Sequence, residues 1–410
     1  MTSQMEQIRR MNQSHKRIQH ELSVSKCTAT VLLLVLFFCA AATVPSNCSK
    51  PKFDKIFVVG DSYVDTGNRD PCNTTYVATG RVNQNWATPY GRTHPGVPAG
   101  RFSDGKVLSD HLGDYMGLKP CPFRLLNTLS TSTGVQDGIN FAVSGSGVFE
   151  NLGFTKTGDQ ITQLRRVLKT NLYSKTVYKK AVILYAISGN DYAAYKRNNG
   201  SSDIRAITAL VLSVVRQVSK DLRELYDMGF RSFVIGKLPP VGCMPVVTVS
   251  NNFSSCHEDF NNVATMHNLN LVGLVAAALP EGNVIFLNHQ LAFSRVVYNI
   301  SNPDRLKACC SGVQLGALCG DVNKAGQARF TLCSSNLTRK YFWWDEYHPT
   351  EAGWDYIFHL FLQGFPFIYT DGRSLPQFLG VNGSRREDME PHAEIATTKP
   401  WAGGEGRDFQ

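Results

Sequence analysis

Residues 53–64 read Phe-Asp-Lys-Ile-Phe-Val-Val-Gly-Asp-Ser-Tyr-Val, an apolar run that stops abruptly at glycine. The β-branched and aromatic residues from Lys55 to Val59 are typical of a buried strand, and Gly60 begins a turn. Because they are short, apolar and bounded by Gly or polar residues, three later runs also predict strands. These runs are Ala181 to Ile187, Ser232 to Ile235 and Asn283 to Leu287.

Longer stretches with helical spacing of apolar residues separate these predicted strands. Residues 203–226 carry apolar side chains three and four positions apart, and residues 257–279 continue similarly. Strands that alternate with helices imply crossover connections and a mainly parallel sheet. The sequence therefore predicts a single α/β domain. Residues 68–102, rich in Gly, Pro, Asn and Thr, are expected to form a long ordered loop or lid region within it.

The composition excludes several classes of protein. The 410 residues are 43% hydrophobic and 18% charged, which gives enough apolar surface to offset the entropy of folding and excludes a disordered or collagen-like chain. The formal net charge is +9, but residues 1–27 hold five Lys or Arg and only two acids, so the remainder carries +6. Since these charges are spread thinly, we expect no nucleic-acid partner.

The two ends of the chain differ from its middle. Residues 28–44 form an uncharged apolar run that follows Lys26 and contains the small residues Ala40 to Ala42, which is typical of a secretory signal peptide. A signal anchor is the alternative, because a run of about 17 residues is near the lower limit for crossing a bilayer. The end of the chain is too polar and Gly-rich to bury a core. The predicted organisation is a signal peptide (1–42), an N-terminal segment (43–52), one domain (53–379) and a disordered tail (380–410).

Sequons and cysteines also predict secretion. Nine cysteines follow the predicted signal, with no Cys-x-x-Cys pair and no Cys/His spacing suited to zinc, so we expect disulfides and no metal site. Their connectivity stays open, although Cys243 with Cys256, and pairs among Cys309, Cys310, Cys319 and Cys333, would close short loops. Because nine is odd, at least one thiol is left over. Asn-x-Ser/Thr sequons predict glycosylation at Asn47, Asn73, Asn199, Asn252, Asn299, Asn336 and Asn382.

Polar residues follow the predicted strands where an open parallel sheet binds its ligands. Ser62, on the turn after the first strand, is placed as a nucleophile would be. A turn in which Ser62 caps a helix is the plainer interpretation. The Gly-x-Ser-x-Gly elbow of α/β-hydrolases is absent, because Val64 stands where its second glycine would be.

Two further turns have residues that suit an oxyanion. In residues 139–147, small side chains and Gly145 would let a backbone N–H approach a ligand closely. After the second strand, the Asn190 amide could donate to a developing oxyanion, and Asp191 is expected to orient the loop or cap the next segment. Taken singly, each turn is equally well explained as a loop.

The segment 343–350 reads Trp-Trp-Asp-Glu-Tyr-His-Pro-Thr and pairs an acid with a histidine. At a spacing of three, Asp345 can accept from Nδ1 of His348 and leave Nε2 free as the base for a serine. Thr350 is expected to begin a helix over residues 351–362. A surface ion pair at a helix start is the alternative.

Together these four segments resemble the plant GDSL esterase/lipase family, within the SGNH hydrolase group named for Ser, Gly, Asn and His. The resemblance extends over about residues 53–370 and implies a three-layer α/β/α SGNH-hydrolase (flavodoxin-like) fold with a mainly parallel sheet. Tyr63 stands where the family motif has Leu, and we expect it to change packing or substrate fit with activity kept. The four matching blocks are residues 60–62, 140–147, 189–191 and 345–348.

The resemblance implies a secreted serine esterase/lipase that hydrolyses carboxylic esters through an acyl-enzyme. Ser62 would be the nucleophile, His348 the base and Asp345 the residue that orients it. The backbone N–H groups of Ser62 and Gly145 and the side chain of Asn190 would bind the oxyanion. No metal or cofactor is expected. The substrate would be a small-molecule, lipid or cell-wall ester, with no stable membrane anchor if the signal is cleaved.

Two alternatives stay open at this point. An acyltransferase would use the same residues and pass the acyl group to an alcohol in place of water. A catalytically silent carbohydrate- or lipid-binding wall protein would keep the fold and use exposed aromatic side chains. Its candidate aromatic residues are Trp86, Tyr90, Trp343 and Trp344. The oligomeric state is not predicted by the sequence.

Overall fold

A computed structural model describes residues 52–70, 84–123, 135–149, 153–170, 172–314 and 316–381. The expected signal peptide, nearly all of the N-terminal segment and the expected tail from residue 382 lie outside the described residues. So do the sequons at Asn47, Asn73 and Asn382, together with Cys48 and Cys72.

In the described residues, seven strands form one sheet in the order β2-β3-β1-β4-β5-β6-β9. Neighbouring strands are parallel, except that β9 runs antiparallel to β6. The strands are β1 (Lys55–Gly60), β2 (Cys121–Pro122), β3 (Gly138–Asn140), β4 (Ala181–Ala186), β5 (Ser232–Gly236), β6 (Asn283–Leu287) and β9 (Ile368–Tyr369). A separate antiparallel pair consists of β7 (Cys310–Gly312) and β8 (Phe330–Leu332).

The four strands predicted from the sequence are confirmed as β1, β4, β5 and β6, each with its end within one residue of the expected one. Strands β2, β3 and β9 were not predicted, because two or three residues carry too little pattern to be recognised. The five main parallel strands follow the order β3-β1-β4-β5-β6, which is the 2-1-3-4-5 order of flavodoxin-like folds. The predicted fold class is therefore confirmed.

Helices cover both faces of the sheet. The described helices are α1 (Leu108–Met116), α2 (Thr157–Leu168), α3 (Val177–Lys180), α4 (Asn190–Arg197), α5 (Ile204–Asp227), α6 (Pro245–Thr248), α7 (Glu258–Ala278), α8 (His289–Val297), α9 (Glu351–Gln363) and α10 (Leu375–Leu379). Short 3₁₀ helices span Gln84–Trp86, Val241–Cys243, Val249–Asn251 and Ser335–Lys340. The predicted long helices are confirmed as α5, α7 and α9.

Alternation along β1 shows how the three layers are made. Ile56 and Val58 enter a core shared with α1, α8 and α9, whereas Phe57 and Val59 enter a second core shared with α2, α5 and α7. Successive side chains of a strand point to opposite faces, so a strand buried on both sides is apolar throughout. This is why the run that opens the domain reads as continuous rather than alternating hydrophobicity.

Three disulfides link cysteines that are close in sequence. They join Cys243 to Cys256, Cys309 to Cys333 and Cys310 to Cys319. The expectation of disulfides, and of short local loops, is therefore confirmed, and Cys121 is the free thiol among the described residues.

The second half of the predicted loop region packs on the disulfide-bonded part of the chain, residues 309–333. A small third core contains Tyr90, Phe102, Trp344 and the cysteines Cys309, Cys310 and Cys319. Residues 84–105 thus include an ordered layer that packs on residues 309–344. Across the described parts of residues 52–381, none of the helices has the length and apolar character needed to span a bilayer.

Candidate active site

The side chains of Ser62, His348 and Asp345 form one hydrogen-bonded series. Ser62 Oγ lies 2.8 Å from His348 Nε2, and His348 Nδ1 lies 2.8 and 2.9 Å from the two carboxylate oxygens of Asp345. The tautomer that satisfies both contacts has Nδ1–H donating to Asp345 and Nε2 accepting from the serine hydroxyl. The three residues predicted from separate parts of the sequence are therefore brought together.

Ser62 occupies a tight turn after β1. A Cβ on Gly60 would lie 2.0 Å from the carbonyl oxygen of Ala186, so only glycine lets β1 approach β4 here. The alternative of Ser62 as a helix cap does not hold, because residues 61–64 form a turn and Ser62 Oγ contacts His348. Ser62 is only 5% exposed and His348 8% exposed, so both side chains are largely shielded from water.

A local turn orients Asp345 and His348. The backbone N–H groups of Tyr347 and His348 both donate to Asp345 Oδ1 at 2.8 Å, which folds the segment back on its own carboxylate. Immediately afterwards, Thr350 caps α9 by accepting from the N–H of Gly353 at 2.9 Å. The helix start is thus as predicted, and the acid and base lie in the turn before it.

Asp61 connects the serine turn to the Asn190 turn. Its carboxylate accepts from the N–H of Tyr63 at 3.1 Å, the hydroxyl of Ser188 at 2.7 Å and the amide of Asn190 at 3.1 Å. Burial raises the pKa of Asp61 to about 6, although the hydrogen bonds from Ser188 and Tyr63 lower it. At pH 7 the side chain is mostly a carboxylate that holds both turns at the carboxyl ends of β1 and β4.

The predicted oxyanion donors lie on the turns around Ser62. The Ser62 N–H has no hydrogen-bond partner among the described residues. Asn190 begins α4, and its amide donates to Asp61 and, at 3.0 Å, to the carbonyl of Ser146. Gly145 has φ +92°, and a Cβ there would lie 2.7 Å from the Phe154 ring, so the backbone approaches the aromatic ring closely.

Buried polar side chains fix the loop that carries Gly145. Asp65 accepts from the N–H and the hydroxyl of Ser144 at 2.8 and 2.7 Å. Asp191 accepts from the N–H groups of Val148 and Phe149 at 3.1 and 3.0 Å. Asp191 therefore orients the loop after β3, and not the loop of Asn190 for which that role was expected.

Among the described ranges, no group of three or more His, Cys, Asp or Glu side chains is placed to hold a metal ion. His267 and His289 are both buried within helices. Burial lowers the pKa of each of them, to about 3 for His267 and about 4 for His289, so they are neutral at pH 7.

Comparison with known proteins assigns the family. A profile of the GDSL-like lipase/acylhydrolase family matches residues 56–361. The chain belongs to this family. Three GDSL esterase/lipases of Arabidopsis thaliana are 34%, 33% and 31% identical to it, over 74%, 76% and 76% of this chain and 84%, 87% and 88% of the relatives. The protein is therefore a carboxylic ester hydrolase, whose substrates are small-molecule esters.

In this GDSL chain, the residue in the fourth position of the motif is a buried tyrosine. Tyr63 is 2% exposed, and its ring packs against Phe293 and Trp354 with centroids 6.2 and 5.0 Å away. Its hydroxyl donates to the carbonyl of Tyr347 at 3.1 Å. Tyr63 is therefore a packing residue next to His348, with its ring centroid 6.0 Å from the imidazole.

A second tyrosine was assigned to a surface by sequence reasoning and is part of the site. Tyr90 donates its hydroxyl to Asp345 Oδ2 at 2.7 Å. The proposed exposed aromatic patch is wrong in three of its four members, because Tyr90, Trp343 and Trp344 are each at most 2% exposed. Tyr90 and Trp344 are buried against the disulfide-bonded cysteines in the third core, whereas Trp343 is buried in the core shared with α8 and α9.

Proposed function

We propose that this GDSL family member hydrolyses carboxylic esters with Ser62 as nucleophile, His348 as general base and then acid, and Asp345 as the group that orients the imidazole. The observation that carries this proposal is the unbroken series of contacts from Asp345 through His348 to Ser62 Oγ. A nucleophile and its base within hydrogen-bond reach, with a third group orienting the base, is the arrangement that activates a serine.

In the first step, Ser62 Oγ forms a bond to the ester carbonyl carbon while its proton passes to His348 Nε2. The resulting tetrahedral intermediate collapses, and the alcohol leaves with that proton from His348, so that an acyl-serine remains. Water then attacks the acyl-serine as His348 takes its proton, and the carboxylic acid is released when Ser62 regains a proton from Nε2. Asp345 orients the imidazole throughout and stabilises the imidazolium.

The oxyanion of each tetrahedral intermediate would be bound by the N–H groups of Ser62 and Gly145 and by the Asn190 amide. Two observations support this assignment: the unpartnered Ser62 N–H in the described residues, and the position of Asn190 beside Asp61. Because Asn190 donates to Asp61 and the Ser146 carbonyl without substrate, it must share or release one of these bonds to reach an oxyanion.

We also propose that the enzyme is secreted as one hydrolase domain, residues 53–379, after removal of residues 1–42. The three disulfides support an oxidising compartment. Four of the seven sequons lie in the described residues: Asn199, Asn252 and Asn336 are exposed, and Asn299 is half-buried. Exposure of these asparagines is what glycosylation at them requires.

The test compares Ser62→Ala with Ser109→Ala, a buried serine whose hydroxyl donates to the Val64 carbonyl and is not hydrogen-bonded to Ser62, His348 or Asp345. We expect the first variant to lose nearly all hydrolysis of a short-chain aryl ester, and the second to keep it. A fluorophosphonate should label Ser62 in the native enzyme, as read by peptide mass spectrometry. Full activity in Ser62→Ala, or no label on Ser62, would overturn the proposal.

The same experiment addresses the two alternatives. A silent binding protein would neither turn over the ester nor react with the fluorophosphonate. An acyltransferase would be labelled at Ser62, but product analysis with an added alcohol would show a new ester in place of the free acid.

A further inference from the structure

The hydroxyl of Tyr90 reaches the carboxylate that orients His348. It donates to Asp345 Oδ2 at 2.7 Å, and the two residues are 255 positions apart in the chain. Tyr90 is 2% exposed and Asp345 is 1% exposed, so their hydrogen bond is shielded from bulk water. A hydrogen bond from a hydroxyl to a buried carboxylate is stronger than one between neutral groups.

Asp345 divides its acceptor capacity between its two oxygens. Oδ1 accepts from the N–H groups of Tyr347 and His348, which belong to the same turn. Oδ2 accepts from Tyr90, and both oxygens lie within 2.9 Å of His348 Nδ1. Within the described residues, Tyr90 is therefore the one donor to this carboxylate that comes from a distant part of the chain.

The ring of Tyr90 is held by packing on both sides. It lies edge-on to Phe102 and Trp344, with centroids 5.4 and 6.0 Å away. Phe102 in turn stacks on the imidazole of His348 at 4.7 Å. Burial and the nearby carboxylate of Asp345 raise the pKa of Tyr90 well above its usual range, so its hydroxyl stays protonated and able to donate.

We propose that Tyr90 is a positioning residue of this hydrolase: its hydroxyl fixes the carboxylate of Asp345 and withdraws part of its negative charge, and so sets how strongly Asp345 holds the protonated imidazole of His348. The inference rests on the proposed roles of Ser62, His348 and Asp345. Tyr90 acts through Asp345 and makes no contact with the reacting atoms.

The direction of the effect follows from the charge on Asp345. Without the Tyr90 hydroxyl, the carboxylate is less neutralised and attracts the imidazolium of His348 more strongly. The base then stays protonated to higher pH, and the acid limb of kcat/KM moves upward. At the same time the carboxylate loses one of its fixed contacts, so the imidazole is less well oriented and turnover falls.

Other ionisable groups face this site and are unchanged by a Tyr90 variant. The charge of Asp61 acts on His348, and the Tyr63 ring lies 6.0 Å from the imidazole. The charges of Glu346 and Asp321 act on the Tyr90 hydroxyl. Because all four remain present in the variant, a difference between its pH profile and that of the native enzyme reports the lost hydroxyl.

The test is Tyr90→Phe, with Tyr185→Phe as a matched control. Tyr185 is also buried, and its hydroxyl donates at 2.9 Å to the carboxylate of Asp221, on the α2 and α5 face of the sheet. Each variant therefore loses the same group from the same kind of partner. Hydrolysis of a short-chain aryl ester is measured from pH 5 to 9. The maximal rate is divided by the number of active sites, titrated with a fluorophosphonate at each pH, to give kcat.

We expect Tyr90→Phe to lower kcat/KM at pH 7 by about tenfold, as the loss of one hydrogen bond to a charged group does, and to move the acid limb upward by about half a pH unit. Tyr185→Phe should leave both unchanged. An unmoved acid limb in Tyr90→Phe, or an equal shift in both variants, would overturn the inference. Because the sites are titrated at every pH, the rate per active site does not depend on the fraction folded, and partial unfolding leaves the test decisive.

The failure of this inference is distinguishable from that of the proposed function. If Ser62→Ala is inactive while Tyr90→Phe keeps the native pH profile, only the role of Tyr90 is wrong. If Ser62→Ala is active, the proposed function itself is wrong.

Discussion

Replacing Tyr63 with leucine restores the fourth letter of the GDSL motif and removes the side chain that packs beside His348. Its ring touches Phe293 and Trp354, and its hydroxyl bonds the carbonyl of Tyr347. Tyr63→Phe removes only the hydroxyl. The two variants therefore separate the contribution of the hydrogen bond from that of the ring.

The magnitude follows from these contacts. Loss of the hydroxyl removes one hydrogen bond, which contributes about 0.5 to 1.5 kcal/mol to the free energy of unfolding. Leucine also removes two aromatic pairs at about 0.5 to 1.5 kcal/mol each. We therefore expect Tyr63→Phe to lose about 1 kcal/mol, and Tyr63→Leu to lose about 1.5 to 4.5 kcal/mol. Since Tyr63 is 2% exposed and offers a substrate little surface, kcat/KM should stay within about threefold.

Urea unfolding with the disulfides intact measures the first quantity, and hydrolysis of a short-chain aryl ester by the folded enzyme measures the second. The reasoning is refuted if Tyr63→Leu is as stable as the native protein. It is also refuted if kcat/KM falls more than about tenfold while the stability is unchanged, because Tyr63 would then act on catalysis rather than on packing.

Three further changes give separate tests. Asn190→Ala should lower kcat about a hundredfold or more, because one oxyanion donor contributes about 2.7 to 4 kcal/mol to transition-state stabilisation. The control is Asn198→Ala, at an exposed position, and an unchanged kcat in Asn190→Ala would exclude Asn190 as a donor. Burial raises the pKa of Glu346 to about 7, so folding favours its protonated form and the free energy of unfolding should fall as pH rises from about 4.5 to 7. Urea unfolding at both pH values should show a smaller fall in the free energy of unfolding for Glu346→Gln than for the native protein. An equal fall would contradict the raised pKa of Glu346. Replacing Cys310 and Cys319 with alanine should cost about 2 to 4 kcal/mol in non-reducing urea unfolding, and no loss would mean that this disulfide does not constrain the unfolded chain.

Local patterns in the sequence were sufficient for the main elements, whereas the three central side chains were indicated only by the four segments together and by their resemblance to the GDSL family. Lys55 to Val59 is apolar throughout because both faces of β1 are buried, and that pattern is visible without a structure. The pairing of Asp345 with His348 is equally local, since a spacing of three within one turn already brings the two together. The place of Ser62 followed from the rule that ligands bind beyond the carboxyl ends of parallel strands.

Contacts between distant segments were not predicted, because no periodicity encodes them. Gln160 on α2 pairs with both the N–H and the carbonyl of Gly60, 100 residues away, and so fixes the turn before Ser62. Tyr90 reaches Asp345 only because residues 84–105 pack on the disulfide-bonded part of the chain. An aromatic residue in a Gly- and Pro-rich segment gives no sign of which buried carboxylate it will meet.

The distance along the chain between Ser62 and His348 has a consequence for biosynthesis. The two residues are 286 positions apart, although their side chains lie 2.8 Å from each other. A ribosome that adds about 5 to 20 residues per second needs roughly 15 to 60 s to pass from one to the other. With the roles proposed for Ser62 and His348, the nascent chain carries its nucleophile without the base during that interval. Under that mechanism, ester hydrolysis begins only when nearly the whole domain has been made and folded, so the first turnover would report that folding is complete.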